Sequence, residues 1–383
     1  MLWLNFIHLY QPANSPSAHI KEAVEKSYLR LTRLLEEHPD LYFSANISGC
    51  LLERLRDEGF TDLLARWRSL VASGRLELVG SAAYHAFLPL LPDKEIIYQI
   101  QRHEELTEEI LGAVVKGGGF FLPEMAYTPA LAQLVKARGY RWLILDEASL
   151  PAGAVADAGA AYLDNNSGLQ VLVRQRELSN SYAPDLIQAL LAADNPQTLL
   201  VTATDAELYG LRHEDPTAEL EKMVKLPKLQ TETISFFLSK AKPVPITFRS
   251  ASWETQRPDD DSQVFLVWND RHNRLHRDLW RLANLALVAG DKYPQDPNYF
   301  WYRWHLDRGL ASCVFWWASG RDFFKNFGPK AWNPDEVENG INDLIRAVRA
   351  LQNPASRREK LLAEKLVNQI RGRLWRQHWQ KYF

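Results

Sequence analysis

GFFLPEMAYTPAL, residues 119–131, carries an apolar run with the character of a buried strand up to Pro123 and then places a carboxylate, Glu124, ahead of Met125, Ala126 and Tyr127. Leaving a buried charge without its partner costs on the order of 3–5 kcal/mol. Glu124 therefore needs either a partner or a task, and the rest of the chain bears on which.

Six other short apolar runs share that character: WLNFIH (3–8), LYFSAN (41–46), LELVG (76–80), WLILDE (142–147), LLVTATD (199–205) and ITFRS (246–250). Their near-continuous apolar composition predicts strands covered on both faces. Between them lie stretches with helical spacing. Ile20, Val24, Tyr28, Leu31 and Leu35 mark one over 18–37, and Ile96, Ile100, His103, Leu106 and Ile110 another over 93–112. Alternation of strand and helix predicts an α/β fold with parallel strands. Seven units favour a closed or nearly closed barrel over the alternative, a doubly wound open sheet. The Ala/Gly-rich stretch 152–161 with LDNNSG reads as an insertion loop, and KAKPVP (240–245) as a short connection. From about residue 270 strand signals stop and helices are expected at 274–289, 297–317, 334–352 and 355–379. This gives a barrel over 1–265 and a C-terminal helical region over 266–383.

With 383 residues, a large core is expected. The 45 basic and 47 acidic side chains nearly cancel, which argues against a nucleic-acid partner or an anionic membrane surface. Cys50 and Cys313 have no neighbours at metal-ligand spacing, so neither a disulfide scaffold nor a cysteine-bound zinc is expected. The opening MLWLNFIHLYQP lacks a basic segment and a cleavage signal, and no run reaches membrane-spanning length; a cytoplasmic protein is the expectation. The sequence does not speak to oligomeric state. Thirteen tryptophans among 43 aromatics stand out, because Trp faces recur where flat, polar-edged ligands are held, although most of them are expected in the core.

In a parallel barrel, chemistry gathers at the C-terminal ends of the strands. Those places hold His8 and Gln11, Asn46, His85, Glu124, Asp146 with Glu147, Asp205 with Glu207, and Trp253. Two carboxylates on separate strands, facing across a cleft with aromatic walls, suit glycosidic bond cleavage: one attacks the anomeric carbon and the other protonates the departing oxygen. On this reading Glu124 is the nucleophile, held ionised by neighbours such as His8, and Asp205 is the acid, kept protonated by the charge on Glu124. The competing assignments are structural. Glu124 could pair with a buried Arg, and Asp205 could cap a helix beginning near Ala206.

Four stretches in order resemble motifs of glycoside hydrolase family 57: HLYQP (8–12), GRLELVGSAAYHAFLPLLP (74–92), GFFLPEMAY (119–127) and TDAELYG (204–210). The resemblance implies a retaining enzyme on alpha-linked glucans, with an incomplete seven-stranded barrel followed by helices that complete the cleft. Position by position, it implies that Glu124 is the nucleophile and Asp205 the general acid/base, with His8, Glu77, His85 and Glu207 lining the cleft. SWETQRP (252–258) and VWNDRHNRLHRDLW (267–280) also look like stretches of this family, and Trp253, Trp268, Trp316 and Trp317 are the candidate sugar-stacking rings. Trp316 and Trp317, adjacent on an expected helix, point about 100° apart, so at most one of them faces a given sugar.

The chain departs from the family pattern at Tyr10, where a second His is usual, and in LASCVFWWASGRDFF (310–324), where either Cys313 or Asp322 occupies the region of the fifth motif. His272 and His276 lie four apart, but Asn273 follows the first and no third ligand is evident, so no metal and no cofactor are expected. The expected partner is an alpha-glucan or maltooligosaccharide, with water as acceptor in an amylase and another glucan as acceptor in a glucanotransferase or branching enzyme. Two rivals stand beside this reading: a polysaccharide deacetylase-like enzyme, which would need an Asp and two His at the first strand ends, where no paired-Asp or His-x-x-x-His motif stands, and a non-catalytic carbohydrate-binding protein on the same barrel.

Overall fold

The computed structural model describes residues 1–154, 160–193, 199–255, 264–321 and 331–382. They form an α/β protein in two compact units, Met1–Ala83 with Leu88–Asp259, and Tyr84–Phe87 with Asp260–Phe383. No helix among the described residues is long and apolar enough to cross a membrane.

The first unit is built on β1 (Leu2–Leu9), β2 (Phe43–Ile47), β3 (Leu76–Leu78), β4 (Gly119–Phe120), β5 (Trp142–Asp146), β6 (Tyr162–Asp164), β7 (Gln170–Arg174), β8 (Leu199–Asp205), β9 (Gln230–Thr231) and β10 (Val244–Ile246). One sheet runs β3-β2-β1-β8 with β9 also on β1, and the other runs β10-β6-β7-β5-β4. All pairings are parallel except β6 with β7. Backbone bonds between Gly80 N and Gly119 O (3.0 Å) and between Phe121 N and Gly80 O (2.8 Å) join the end of β3 to β4. A further bond, Gln175 N to Val201 O at 2.9 Å, ties the end of β7 to β8. Gly119 is required where the chains come this close, since a Cβ there would stand 2.2 Å from the Trp142 ring.

Six of the seven expected strands lie where the apolar runs put them. The exception is ITFRS. Only Ile246 of it is in a strand, β10, which pairs with β6 and leaves Val244 53% exposed. The strand beside β5 is QVLVR, β7, which lies just beyond the expected insertion loop and forms a hairpin with β6, whose Leu163 and Asp164 fall inside it. It ends in Arg174, with Arg176 close behind, and Arg174 is buried because its guanidinium is paired with Asp146.

Side chains alternate across a strand, so positions 4, 6 and 8 of β1 share a face, as do 44 and 46, 144 and 146, 172 and 174, and 201, 203 and 205. Leu4, Phe6, Ile144, Leu172, Val201 and Ala203 from that face pack into one core cluster with Phe121, Met125 and Trp142. Continuing each strand by two residues turns apolar into polar: Phe6 gives way to His8, Ile144 to Asp146, Leu172 to Arg174, and Ala203 to Asp205. The core thus ends in a polar layer at the C-terminal strand ends. The register sets His8 directly between Asn46 and Asp205.

The helix expected over 18–37 is present as Ser17–Ala23 and Leu29–Glu37 with one wider π turn, Val24–Tyr28, between them. Such turns insert an extra residue and commonly sit at functional places. Here the turn carries Ser27 and Tyr28 onto the loop after β8, where Ser27 Oγ donates to Ala206 O at 2.6 Å.

The second unit is helical: Arg274–Lys292, Tyr299–Gly309, Ser312–Trp316, Pro334–Ala350 and Arg357–Tyr382. The helix expected over 297–317 is broken at Leu310 and Ala311. Ala311 is extended and makes an antiparallel bridge with Ala86, and Ser312 N bonds His85 O at 2.9 Å. Close packing dominates. A Cβ on Gly340 would meet Val314 at 2.3 Å.

Candidate active site

Glu124 occupies a turn, Pro123–Met125, and its backbone is left-handed with φ 62°, followed by Met125 at φ 48°. Non-glycine residues rarely adopt this region, at a cost of roughly 1–3 kcal/mol each, and such strain concentrates where geometry serves a site. The turn delivers a 9% exposed carboxylate. Trp253 grips it twice: the indole Nε1–H donates to Glu124 Oε2 at 2.8 Å, and the Trp253 backbone N–H donates to Glu124 O at 3.2 Å. Trp253 is itself braced. Arg174 lies over its ring at 5.5 Å, and Arg176 donates to the carbonyls of Trp253 (3.2 Å) and Thr255 (2.9 Å). Both arginines pair with the fully buried Asp146, Arg174 through Nε at 2.7 Å. Asp146 thereby serves as the counter-charge of a platform beneath the nucleophile candidate.

His8 lies 2% exposed in the polar layer, its Nδ1 at 3.0 Å from Asn46 Oδ1. Phe121 packs on it at 4.6 Å, Trp253 at 6.4 Å, and Tyr10 stacks on it at 5.8 Å and 13°. Tyr10, the departure from the family's usual His, thus keeps an aromatic ring against His8. Burial pulls the His8 imidazole down to about 4, against the opposing pull of the Asp205 charge, so the ring is neutral at neutral pH.

Asp205 ends β8. It does not cap the turn that follows. Its Oδ2 instead accepts from Arg212 Nη1 at 2.6 Å. Two residues on, Glu207 is 1% exposed and accepts from Gln11 Nε2 at 2.9 Å and from the Tyr28 hydroxyl. Burial raises the Glu207 carboxyl above the ordinary range, the Asp205 charge adds to this, and Arg212 opposes it. The loop is held by Gly210 at φ 118°, where a Cβ would meet Lys26 O at 2.3 Å.

The structure thus brings His8, Gln11, Asp205 and Glu207 into one cluster, and Glu124 with Trp253 against its His8 side. Glu77 stands apart. It pairs in register with Ser44, one layer below the Asn46 position, accepts from Ser44 Oγ, and takes the Ser235 backbone N–H at 3.3 Å at the start of the helix Ile234–Lys240. Glu77, expected to line the cleft, is here bound to the start of that helix.

In the second unit His85 has φ 53° and is 2% exposed, with Nδ1 at 2.9 Å from Ser312 Oγ. Trp268 is fully buried, stacked on Phe87 at 4.7 Å, so the expectation that it binds sugar is also corrected; a ring with no exposed surface is core. Trp316 and Trp317 are both partly exposed, their ring planes at 78° to each other. Cys313 is partly buried, and Asp322 lies outside the described residues. His276 is buried with both ring nitrogens used, against Phe315 O (3.0 Å) and the Asp270 backbone N–H (3.0 Å). Among the described residues no cluster of His, Cys, Asp and Glu has metal-binding form.

Sequence reasoning missed Arg174, Arg176, Arg212 and Tyr28. Arg212 was within reach, seven residues after Asp205 and two beyond the TDAELYG stretch. The other three were not, because nothing in the sequence ties 28 to 207 or 174 to 253.

The family model described as glycosyl hydrolase family 57 matches residues 4–244. A 4-alpha-glucanotransferase of Thermococcus kodakarensis is 34% identical over 152 residues, which are 38% of this chain and 22% of that protein. An alpha-amylase of Pyrococcus abyssi is 31% identical over 147 residues, again 38% of this chain and 22% of that protein. The matches span about a fifth of the length of these relatives. The crystal structure of a GH57 branching enzyme from Thermococcus kodakaraensis superposes with a TM-score of 0.72 at 16% identity, covering 91% of this chain and 89% of that one. At that identity the likeness is one of fold.

Proposed function

The chain belongs to glycosyl hydrolase family 57, and from that membership we propose a retaining enzyme that acts on alpha-linked glucans by double displacement. The observation that carries this reading is the fixed posture of Glu124, presented from a strained turn and hydrogen-bonded by Trp253 beside the layer that holds His8 and Asp205.

In the first step a Glu124 oxygen bonds to the anomeric carbon while the glycosidic C–O bond breaks, and Asp205 gives its proton to the departing oxygen. In the second, Asp205 takes a proton from the acceptor hydroxyl, whose oxygen displaces Glu124. Arg212 binds Asp205 at Oδ2, so Oδ1 is the oxygen that gives the proton in the first step and takes it back in the second. Neutral His8 donates or accepts hydrogen bonds without adding charge beside the developing oxocarbenium ion. Water as acceptor makes the enzyme an amylase, and a glucan acceptor makes it a glucanotransferase or branching enzyme. A product profile on maltooligosaccharides separates these, because only transfer yields chains longer than the substrate.

We read the two sheets as one incomplete seven-stranded barrel, β1, β2, β3, β4, β5, β7 and β8, with the helical region after residue 265 as a second domain. The backbone bonds from Gly80 to Gly119 and from Gln175 to Val201 support the barrel, and the division of the chain into two compact units supports the domains.

The test is stereochemical. Azide should rescue Glu124→Ala with inversion, by attacking from the vacated face, and Asp205→Ala with retention, by intercepting the glycosyl-enzyme. Products of one stereochemistry from both variants would overturn the assignment.

A further inference from the structure

The helix Tyr299–Gly309 is apolar on two sides. Tyr302 and Leu306 are buried in the unit, whereas Phe300, Trp301 and Trp304 are 69%, 52% and 36% exposed. At 100° per residue, Phe300, Trp304, Arg308 and Trp301 fall within one arc of about 100°, so the exposed rings form a stripe along the helix. Phe300 and Trp301, with the open part of Trp304, leave apolar area exposed along one face, which points to an interaction. The stripe is continuous with a candidate site segment: the Arg308 guanidinium covers the Trp304 ring at 3.5 Å and reaches over Tyr84 at 5.5 Å, next to His85.

We propose that this stripe is a second carbohydrate site, holding a curved alpha-glucan chain outside the bond-cleaving centre. The inference rests on the alpha-glucan reading above and deepens it. Sugar rings stack their C–H faces on aromatic rings, and the arrangement of the rings selects the chain. A flat beta-1,4 ribbon needs coplanar platforms, whereas successive alpha-1,4 units turn relative to one another. Here Phe300 and Trp301 meet at 77°, and Trp301 and Trp304 at 63°. Such angled rings fit a chain that curves. Size argues the same way. The exposed parts of the three rings amount to roughly 250–400 Å², well short of the ~800 Å² per partner of a stable protein interface but sufficient for a few sugar units. Arg303, paired with Asp307, and His305, 3.1 Å from Asp343, flank the stripe with hydrogen-bonding groups.

The test uses the full chain in native gels cast with glycogen, with a soluble beta-glucan as the comparison polymer. The double variant F300A/W301A should bind glycogen about tenfold more weakly, as loss of two stacking anchors implies, while turning over maltopentaose like the unaltered protein. Trp379→Ala, which removes a ring 54% exposed on another helix, should leave glycogen binding intact. Unchanged glycogen binding in F300A/W301A, an equal loss in Trp379→Ala, or equal retardation by the beta-glucan overturns the proposal. So does a dimer, seen by sedimentation, that F300A/W301A dissolves, since the stripe would then be a protein interface. Failure of the unaltered protein to turn over maltopentaose sinks the alpha-glucan reading itself, and that result is distinct from the others.

Discussion

Trp253 holds Glu124 by two atoms at once, indole Nε1–H to Oε2 at 2.8 Å and backbone N–H to the carbonyl oxygen at 3.2 Å. A tryptophan expected to face sugar is therefore engaged edge-on with the nucleophile candidate. Trp253→Phe keeps the ring against the core and deletes only the donor. A hydrogen bond to a charged group is worth about 1.5–3 kcal/mol, so kcat/KM on maltooligosaccharides should fall roughly 10- to 100-fold with the melting temperature nearly unchanged. A variant as active as the parent would show that the bond does not orient Glu124.

Glu77 separates a structural carboxylate from a catalytic one. Its contacts are Ser44 Oγ and the Ser235 N–H at a helix start. Glu77→Gln should cost about 1–2 kcal/mol in urea denaturation and leave kcat/KM on maltooligosaccharides unaltered. A large loss of activity with no loss of stability would return Glu77 to the cleft.

The residues that were legible in the sequence are those whose chemistry is local. An apolar run ending in a carboxylate marks both a strand and its polar end, which is why Glu124 and Asp205 stand out together with β4 and β8. Glu77 and Trp268 share a motif or a polar neighbourhood with site residues, but their surroundings are set by tertiary contacts. Trp268 sits in VWNDRHN, a stretch polar enough to look exposed, and is fully buried because Phe87 lies flat against it. QVLVR escaped for the opposite reason: the charge of Arg174 is cancelled by Asp146, 28 residues away. Partners so remote leave no periodic signal.

Burial of neutral imidazoles gives stability a defined pH dependence. His8, His103 and His276 are each pulled from 6.5 to about 4 by burial. Between those values the unfolded chain binds more protons than the folded one, so stability falls as pH drops from 6.5 toward 4 and is complete above 6.5. Each ring contributes up to about 3 kcal/mol of that loss by pH 4. His103→Gln should flatten the dependence by about 1.4 kcal/mol per pH unit within the window, measured by urea melts at pH 6.5, 5.5 and 4.5. An unchanged slope would mean that His103 is protonated in the folded protein.

Arg212 is a cation set against the acidic pair. Burial and the Asp205 charge raise the Glu207 carboxyl, and Arg212 works in the opposite direction while its Nη1 lies 2.6 Å from Asp205 Oδ2. Removing that charge in Arg212→Gln takes away the pull that holds the Glu207 carboxyl down, so the acidic site keeps a proton to higher pH. The group that loses its proton on the alkaline side of a bell-shaped profile is the acid, and coupled carboxyls titrate as a set. The alkaline limb of kcat/KM should therefore move upward in Arg212→Gln and stay in place in Arg212→Lys, which keeps the charge. Movement in both variants would assign the effect to the shape of the guanidinium. A limb fixed in both would mean that the proton delivered to the leaving oxygen comes from outside the pair that Arg212 touches.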